Sequence, residues 1–323
     1  MSVLLYIQNF NGSLKKQTLE LASYASSIAV ARGVKLIGVV LGEIENSQLE
    51  KLAAYGVSKI IKANNSQLNL RINKIYTEVV EQAVNEVNAE IIIFPDNNLG
   101  KAVAPRLSVR LKAGFVPGVV ALPSSYEPFI VSKRAFSGKA YANVKVCTQK
   151  KIVSLMNNTF GLHHNPTELT IEEFHPTFNP DEIRNVEVER KIQNEHISLF
   201  DADIVVSGGR GIKDAGTWAQ LEEFAGILGA AKACSRPVSE DGVRPHSEHV
   251  GQTGTIIAPN IYFAFGISGA IQHIAGVIGS KCIVAINTDN EAPIFQIANY
   301  GIVGDASSVL PKLIAVFKEY KTE

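Results

Sequence analysis

The sequence predicts an α/β protein in two parts: a mostly parallel N-terminal α/β domain with added short strands (residues 1–195) and a doubly wound C-terminal domain (196–323). Three observations predict it. Strand-like and helix-like apolar patterns alternate from the first residues onward, which is the rhythm of βαβ units and a parallel sheet. From about Gly118 the pattern changes to short strand-like runs, and near Asp203 the βαβ rhythm resumes. The chain has 323 residues, room for two ordinary domains, and its apolar content of 46% supports substantial cores.

The first domain opens on a strand at 3–7 (VLLYI), followed by a helix over 13–32, a strand at 34–41 and a short helix around 47–55. A short strand at 59–61, a helix over 70–87 and a strand at 91–94 come next. Asn97 or Asn98 is placed to cap the following helix. Residues at this strand end could also face a ligand, but a turn-and-cap role is the better reading. Only one glycine, Gly12, stands in the turn after the first strand, so this domain is expected to bind no dinucleotide of its own. Beyond Gly118 lie strand-like runs at 119–122, 141–146, 151–155, 169–174 and 186–191, with a polar loop at 179–185. They suggest an antiparallel or mixed extension of the sheet.

In the second domain a strand at 203–206 leads into Ser207-Gly-Gly-Arg-Gly211 and a helix over 214–231. This is half of a dinucleotide fingerprint, with Asp214 where the third glycine would stand. Arg210 is a candidate partner for a pyrophosphate, because guanidinium offers a planar fork to phosphate oxygens. Taken alone it reads more simply as a solvated surface arginine. After Ala233-Cys-Ser-Arg-Pro237 the chain passes through a loop to residues 250–305, a stretch dense in small and polar residues between short apolar runs. Such a pattern suits a backbone that approaches a large anionic ligand. A strand at 261–265 (IYFAF) stops at GISGAIQH, 266–273, where glycine permits a tight turn and N–H groups at a helix start can face a phosphate. Ser268 is a candidate cap or phosphate donor there, with His273 about a turn later. Strands at 282–286 and 300–303 end in Asn287 with Asp289 and in Gly304-Asp305, polar strand ends of the kind that bind ligands in parallel sheets.

The series GQTG at 251–254, GISGAIQH at 266–273, IVAIN at 283–287, APIF at 292–295 and YGIVGD at 300–305 closely resembles the FAD-binding domain of the electron transfer flavoprotein alpha subunit. GGRG at 208–211 and Ser235-Arg236 match two further family elements in the same order. The resemblance is carried by motifs from about residue 203 onward and mainly by layout before it. It implies one FAD per chain. Arg236 would lie over the flavin ring with Ser235 beside it, a fixed cation that stabilises the negative charge placed on the ring by reduction. Gln252 and Thr253 would approach the flavin, Thr253 as hydrogen-bond partner of N5, and His273 would stand near the pyrimidine carbonyl. Ser268, Gly269, Ala270, Ile271 and Gln272 would hold the ribityl–pyrophosphate portion, and Asn287 and Asp305 the adenosine end. Val250, Gly251 and Ala306 join the same implied set.

The resemblance also implies an electron carrier rather than a substrate-converting enzyme, paired as a heterodimer with a beta subunit that could hold AMP or a second FAD. The first domain would pack on that subunit. Donors would be acyl-CoA or other dehydrogenases, and the acceptor a quinone-linked oxidoreductase. Within the family the alternative is an electron-bifurcating or nitrogen-fixation-type protein using NADH. Residues 134–139 look like the family's loop in the first domain, with no chemistry to assign.

Other classes are weighed on the residues. Acidic and basic side chains balance at 31 each, which gives no electrostatic reason to expect nucleic acid or an anionic membrane. Cys147, Cys234 and Cys282 are far apart and form no C-x-x-C, which suits a reducing compartment and argues against a zinc or iron–sulfur site. Met1 leads directly into a strand-like run, and no apolar run is long enough to span a bilayer. A soluble protein is expected, cytoplasmic in a bacterium, or in the mitochondrial matrix if this is a processed form. GISGA is one residue away from a G-x-S-x-G nucleophile elbow, but the only later histidine, His273, falls in the same helix, so the hydrolase order cannot be completed. His246 and His249, beside Pro245, lack a third ligand and read as surface or supporting residues, as do His163 and His164. Trp218 reads as core. A nucleotide-binding enzyme on the same fold is the reading of another class. The incomplete fingerprint weighs against an NAD enzyme, and Arg236, Thr253 and His273 together weigh against a plain nucleotide module.

Overall fold

In the computed structural model, which describes residues 1–179 and 197–322, the chain divides into two units, Met1–Lys191 and Ile192–Glu323. The strand expected at 186–191 and most of the loop expected at 179–185 lie outside the described residues.

The first unit begins with β1 (Ser2–Ile7), α1 (Lys16–Arg32), β2 (Lys35–Leu41), α2 (Asn46–Glu50) and β3 (Lys59–Ala63). It continues with α3 (Asn73–Glu86), β4 (Ala89–Pro95), α4 (Asn98–Leu111) and β5 (Gly114–Val119). The strands β6 (Ser125–Tyr126), β7 (Phe129–Ala135), β8 (Ala140–Val146), β9 (Lys151–Leu155) and β10 (Thr170–Glu173) follow. Every residue of β1 is buried, as expected of a central strand in a sheet covered on both faces. Its side chains alternate between two cores. Val3, Leu5 and Ile7 pack with Leu21, Tyr24 and Ile28 of α1, whereas Leu4 and Tyr6 pack with Val79 and Val80 of α3 and Val103 and Leu107 of α4.

The sheet order is β10-β3-β2-β1-β4-β9-β5-β7-β6, with β8 paired to β7. Strands from β10 to β5 run parallel, and β6, β7 and β8 form the antiparallel extension. The extension is therefore mixed: β9 and β10 rejoin the parallel sheet from late in the chain. Two strand expectations shift. The run at 119–122 begins only where β5 ends, because Pro117 and Gly118 make the true strand look like a turn. The strand β7 escapes the apolar pattern because its second half, Ser132-Lys-Arg-Ala135, is polar.

Strand order reverses between β1 and β4, where an open sheet of this kind forms its ligand crevice. Here that crevice holds side chains of its own. Asn97 caps α4 by accepting from the Gly100 N–H at 3.1 Å, and its amide nitrogen donates to Gln8 at 2.6 Å and to Gln17 at 3.4 Å. A second polar anchor lies on α1. The buried Glu20 carboxylate accepts from the backbone N–H groups of Asn158, Phe160 and Gly161 at 2.8, 2.8 and 2.9 Å. It ties the loop after β9 to the helix.

The second unit contains β11 (Ile204–Gly208), α5 (Ala215–Leu228), β12 (Ala231–Cys234), α6 (Arg236–Glu240), β13 (Ile261–Phe265), α7 (Ile271–Val277), β14 (Cys282–Asn287), β15 (Tyr300–Val303) and α8 (Ala306–Thr322). Its sheet is wholly parallel, in the order β12-β11-β13-β14-β15. One face packs on Trp218, Leu221 and Phe224 of α5 and Leu310 and Ile314 of α8; the other packs on Val250, Ile257, Val277 and Ile294. The helix expected to reach residue 231 ends at Leu228, because Gly229 turns left-handed and its N–H returns to the carbonyls of Ala225 and Gly226. Ala231, so released, opens β12, an edge strand whose AKAC sequence carries no β-branched signal.

Replacing Glu20 with Ala should lower the unfolding free energy by about 2 kcal/mol, since three part-buried N–H groups lose a charged acceptor. Glu20→Gln should lose less. Urea denaturation of both variants checks this, and equal losses would show that a neutral amide of the same volume recovers nothing, so that the carboxylate charge carries the whole anchor.

Candidate cofactor site

The strand order of the second sheet reverses between β11 and β13, and the turns leaving these two strands meet backbone to backbone. The Gly209 N–H donates to the Phe265 carbonyl at 2.8 Å, and the Gly211 N–H to the Gly266 carbonyl at 3.0 Å. A Cβ on Gly209 would stand 2.2 Å from the Gly266 oxygen, so no side chain fits there. The loop over 250–255 closes in from the other side. Its Gln252 N–H donates to the Gln272 carbonyl at 2.8 Å, and a Cβ on Gly276 of α7 would stand 2.5 Å from the Gly251 Cα. These contacts leave a cavity of about 550 Å³ at the carboxyl end of the sheet.

The cavity brings together most of the residues singled out from the sequence. Arg210, Ser235, Arg236, Val250, Gly251, Gln252, Thr253, Ser268, Gly269, Ala270, Gln272, His273 and Asn287 all line it. Ile271 does not; it opens α7 with its side chain 60% exposed. Asp305 and Ala306 also stand outside the lining. Asp305 accepts from the Ser307 N–H at 2.8 Å and the Ser307 hydroxyl at 2.6 Å at the start of α8. Those bonds, with the charge of Lys213 nearby, hold its carboxyl below the ordinary range. Ser268 is not a helix cap: Ala270 occupies the cap position of α7, and Ser268 is exposed to the cavity, its carbonyl taken by the Ile294 N–H at 3.0 Å. The tight turn at Gly266 and Gly269, both with positive φ, delays the helix by two residues beyond what the motif suggests.

Electrostatically the cavity is cationic at its rim and neutral in its depth. Arg210 and Arg236 are both exposed, and Arg236 donates through Nε to Glu240, four residues on, at 2.8 Å. Glu240 is an acidic partner that the sequence reading did not include. Deeper, His273 is buried and its Nε2 lies 2.8 Å from the Tyr262 hydroxyl. Burial pushes its pKa down to about 4, so the ring is neutral at physiological pH. Asn287 braces the wall, donating to the Ile267 carbonyl at 2.9 Å and accepting from the Asp289 N–H at 3.0 Å.

The structure adds Gly211, Pro237, His249, Gly266 and Ile267 to the lining. His249 corrects the surface alternative given above: it is 3% exposed and sits beneath the 250–255 loop, with a Cβ on Gly254 falling 2.8 Å from its ring. Burial, and then the neighbouring His246 and Arg236, hold its pKa below the ordinary range. Its position between Pro245 and the Val250-Gly-Gln-Thr253 run was the available signal. His246 remains exposed, its ring 5.4 Å from that of His249. Trp218 is core, packed over Gly208 with the Arg244 guanidinium 5.4 Å above its ring.

The donor set suits a large, flat, anionic cofactor. The Nδ1 atoms of His249 and His273 are buried with no hydrogen-bond partner, the glycine backbone leaves room for close approach, and two arginines stand at the rim. Among the described residues no helix is long and apolar enough to cross a membrane.

Comparison with known proteins agrees with this geometry. The electron transfer flavoprotein domain matches residues 3–179, and the electron transfer flavoprotein FAD-binding domain matches residues 198–278. The chain is 33% identical over 313 residues to an electron transfer flavoprotein subunit alpha of Bacillus subtilis, covering 96% of this chain and 95% of that one. It is 32% identical over 327 residues to Protein FixB of Clostridium saccharobutylicum, covering 98% and 96%. It is 30% identical over 350 residues to the acryloyl-CoA reductase electron transfer subunit beta of Anaerotignum propionicum, covering 98% and 95%. With both halves matched and full-length relatives of this kind, the chain belongs to the electron transfer flavoprotein alpha-subunit family.

Proposed function

We propose that this chain binds one FAD at the carboxyl end of its second sheet and works as the FAD-holding half of an electron carrier. Paired with a beta subunit, it would take electrons from dehydrogenases, acyl-CoA dehydrogenases among them, and deliver them to a quinone-linked oxidoreductase. The observation that supports this most is the single cavity between β11 and β13, in which the residues of five separate motifs converge. Bound FAD would supply the one- and two-electron chemistry. The chain's own residues would do the rest. Gly209, Gly211 and Gly266 keep the crevice free of side chains so that phosphate oxygens can approach backbone. Arg210 would meet the pyrophosphate. Arg236 supplies positive charge beside the ring, and its ion pair with Glu240 fixes where that charge sits. The turn at Gln252 and Thr253 brings a hydroxyl to the ring, and neutral His273 offers a hydrogen bond from below. Asn287 and Asp305 would serve the adenosine end.

A second reading, a bifurcating or nitrogen-fixation-type carrier that uses NADH, is favoured by the resemblance to Protein FixB and to the acryloyl-CoA reductase subunit. In it the second flavin and the NADH site would belong to the beta subunit.

The deciding experiment is a visible spectrum of the chain co-expressed with its genomic neighbour, followed through stepwise dithionite and NADH reduction. One flavin per heterodimer with no direct response to NADH supports the simple carrier; two flavins with rapid NADH reduction support the second reading. A colourless protein despite added FAD overturns both. Arg236→Ala should lower the flavin potential, on the order of tenfold in the one-electron equilibrium, with FAD still bound. An unchanged reductive titration removes Arg236 from its role. Asp305→Ala should instead weaken FAD retention about tenfold with little spectral change, as equilibrium dialysis would show; a large potential shift at undiminished affinity contradicts its placement at the adenosine end.

A further inference from the structure

The Tyr262–His273 pair is buried polar chemistry that the site as described does not require. Tyr262 lies in the middle strand of the second sheet, fully buried, and its hydroxyl is 2.8 Å from His273 Nε2. The other ring nitrogen, Nδ1, is buried without a hydrogen-bond partner in a side chain that lines the cavity. Ser207 on β11 stands near the phenol and acts to lower its pKa, the sense of a hydroxyl that donates to the phenol oxygen, which leaves the phenol proton for His273 at 2.8 Å.

A neutral imidazole carries its proton on one nitrogen, and the choice decides whether the other donates or accepts. Between a phenol and an imidazole the stronger arrangement has the O–H donating to the bare ring nitrogen, since the phenol is the better donor and the imidazole nitrogen the better acceptor. Burial raises the Tyr262 pKa well above its ordinary value, which keeps that proton on the oxygen. We propose that Tyr262 is a positioning residue that fixes His273 as the Nδ1–H tautomer, so that a neutral N–H donor is presented to a ring carbonyl of the cofactor. A bare Nδ1 would meet that carbonyl as a second acceptor and would repel charge gained on reduction.

The proposal rests on the flavin reading for the ligand, but its core is testable without one. In the full chain free of FAD, long-range ¹H–¹⁵N correlation should find His273 with Nδ1 protonated and Nε2 bare. Finding Nε2 protonated would overturn the proposal without any variant. Tyr262→Phe, which removes only the hydroxyl, should abolish this preference. With FAD bound, the same change should lower the one-electron equilibrium about tenfold, about 59 mV for one electron. In a His273→Asn background, whose amide nitrogen stands near the Nδ1 position, Tyr262→Phe should have no further effect on the potential. A tautomer unchanged in Tyr262→Phe, or an equal loss of potential in both backgrounds, overturns the role assigned to Tyr262. Failure of the wild-type chain to take up FAD would instead refute the cofactor reading and leave the tautomer result standing.

Discussion

The close approach of bare backbone at the end of the second sheet is the constraint on which the site depends. Gly209 and Gly211 lie against Gly266, and Gly276 lies against Gly251, at distances that no Cβ could enter. In a sheet covered on both faces, most space at strand ends is taken by side chains. Removing them at two crossings opens a cavity whose walls are peptide groups. Each of those groups is an acceptor or donor fixed by its neighbours, so the wall costs little to organise when a ligand arrives.

The two units show how one architecture can keep or close its crevice. Both sheets reverse strand order, and in both the residues after the strands on either side of the reversal decide what fills the crevice. In the first unit the Asn97 amide donates across it to both Gln8 and Gln17, and these side chains occupy the space. The second unit has glycine at the matching places. Short polar side chains that reach each other close a crevice; glycines that bring only backbone leave it open.

The electrostatics of the open crevice follow from depth. At the rim solvent screens Arg210 and the Arg236–Glu240 pair, so charge can stand there at little cost. Below, burial disfavours charge on His249 and keeps His273 a neutral hydrogen-bonding group. A ligand that is anionic at one end and a neutral aromatic ring at the other suits that gradient. The ring would then acquire charge among neutral donor groups, with the nearest cation, Arg236, at the rim.

Much of this was legible in the chain itself. The βαβ rhythm, the strand at 261–265 ending on glycine and the polar ends of 287 and 305 followed from apolar periodicity and from the backbone freedom of glycine, which are local properties. The family resemblance followed from motifs in collinear order. The exceptions were decided at longer range. The strands β7 and β12 have weak local signals and form because a neighbouring strand offers its free edge. His249 is buried because a loop folds over it, and Ile271 turns outward because Gly266 and Gly269 delay the helix. The partner that sets the tautomer of His273 comes from a strand eleven residues earlier. Sequence determined which residues could carry the chemistry; tertiary structure decided which of them face the cavity and in what hydrogen-bonding state, because burial and partnership are properties of the packed chain.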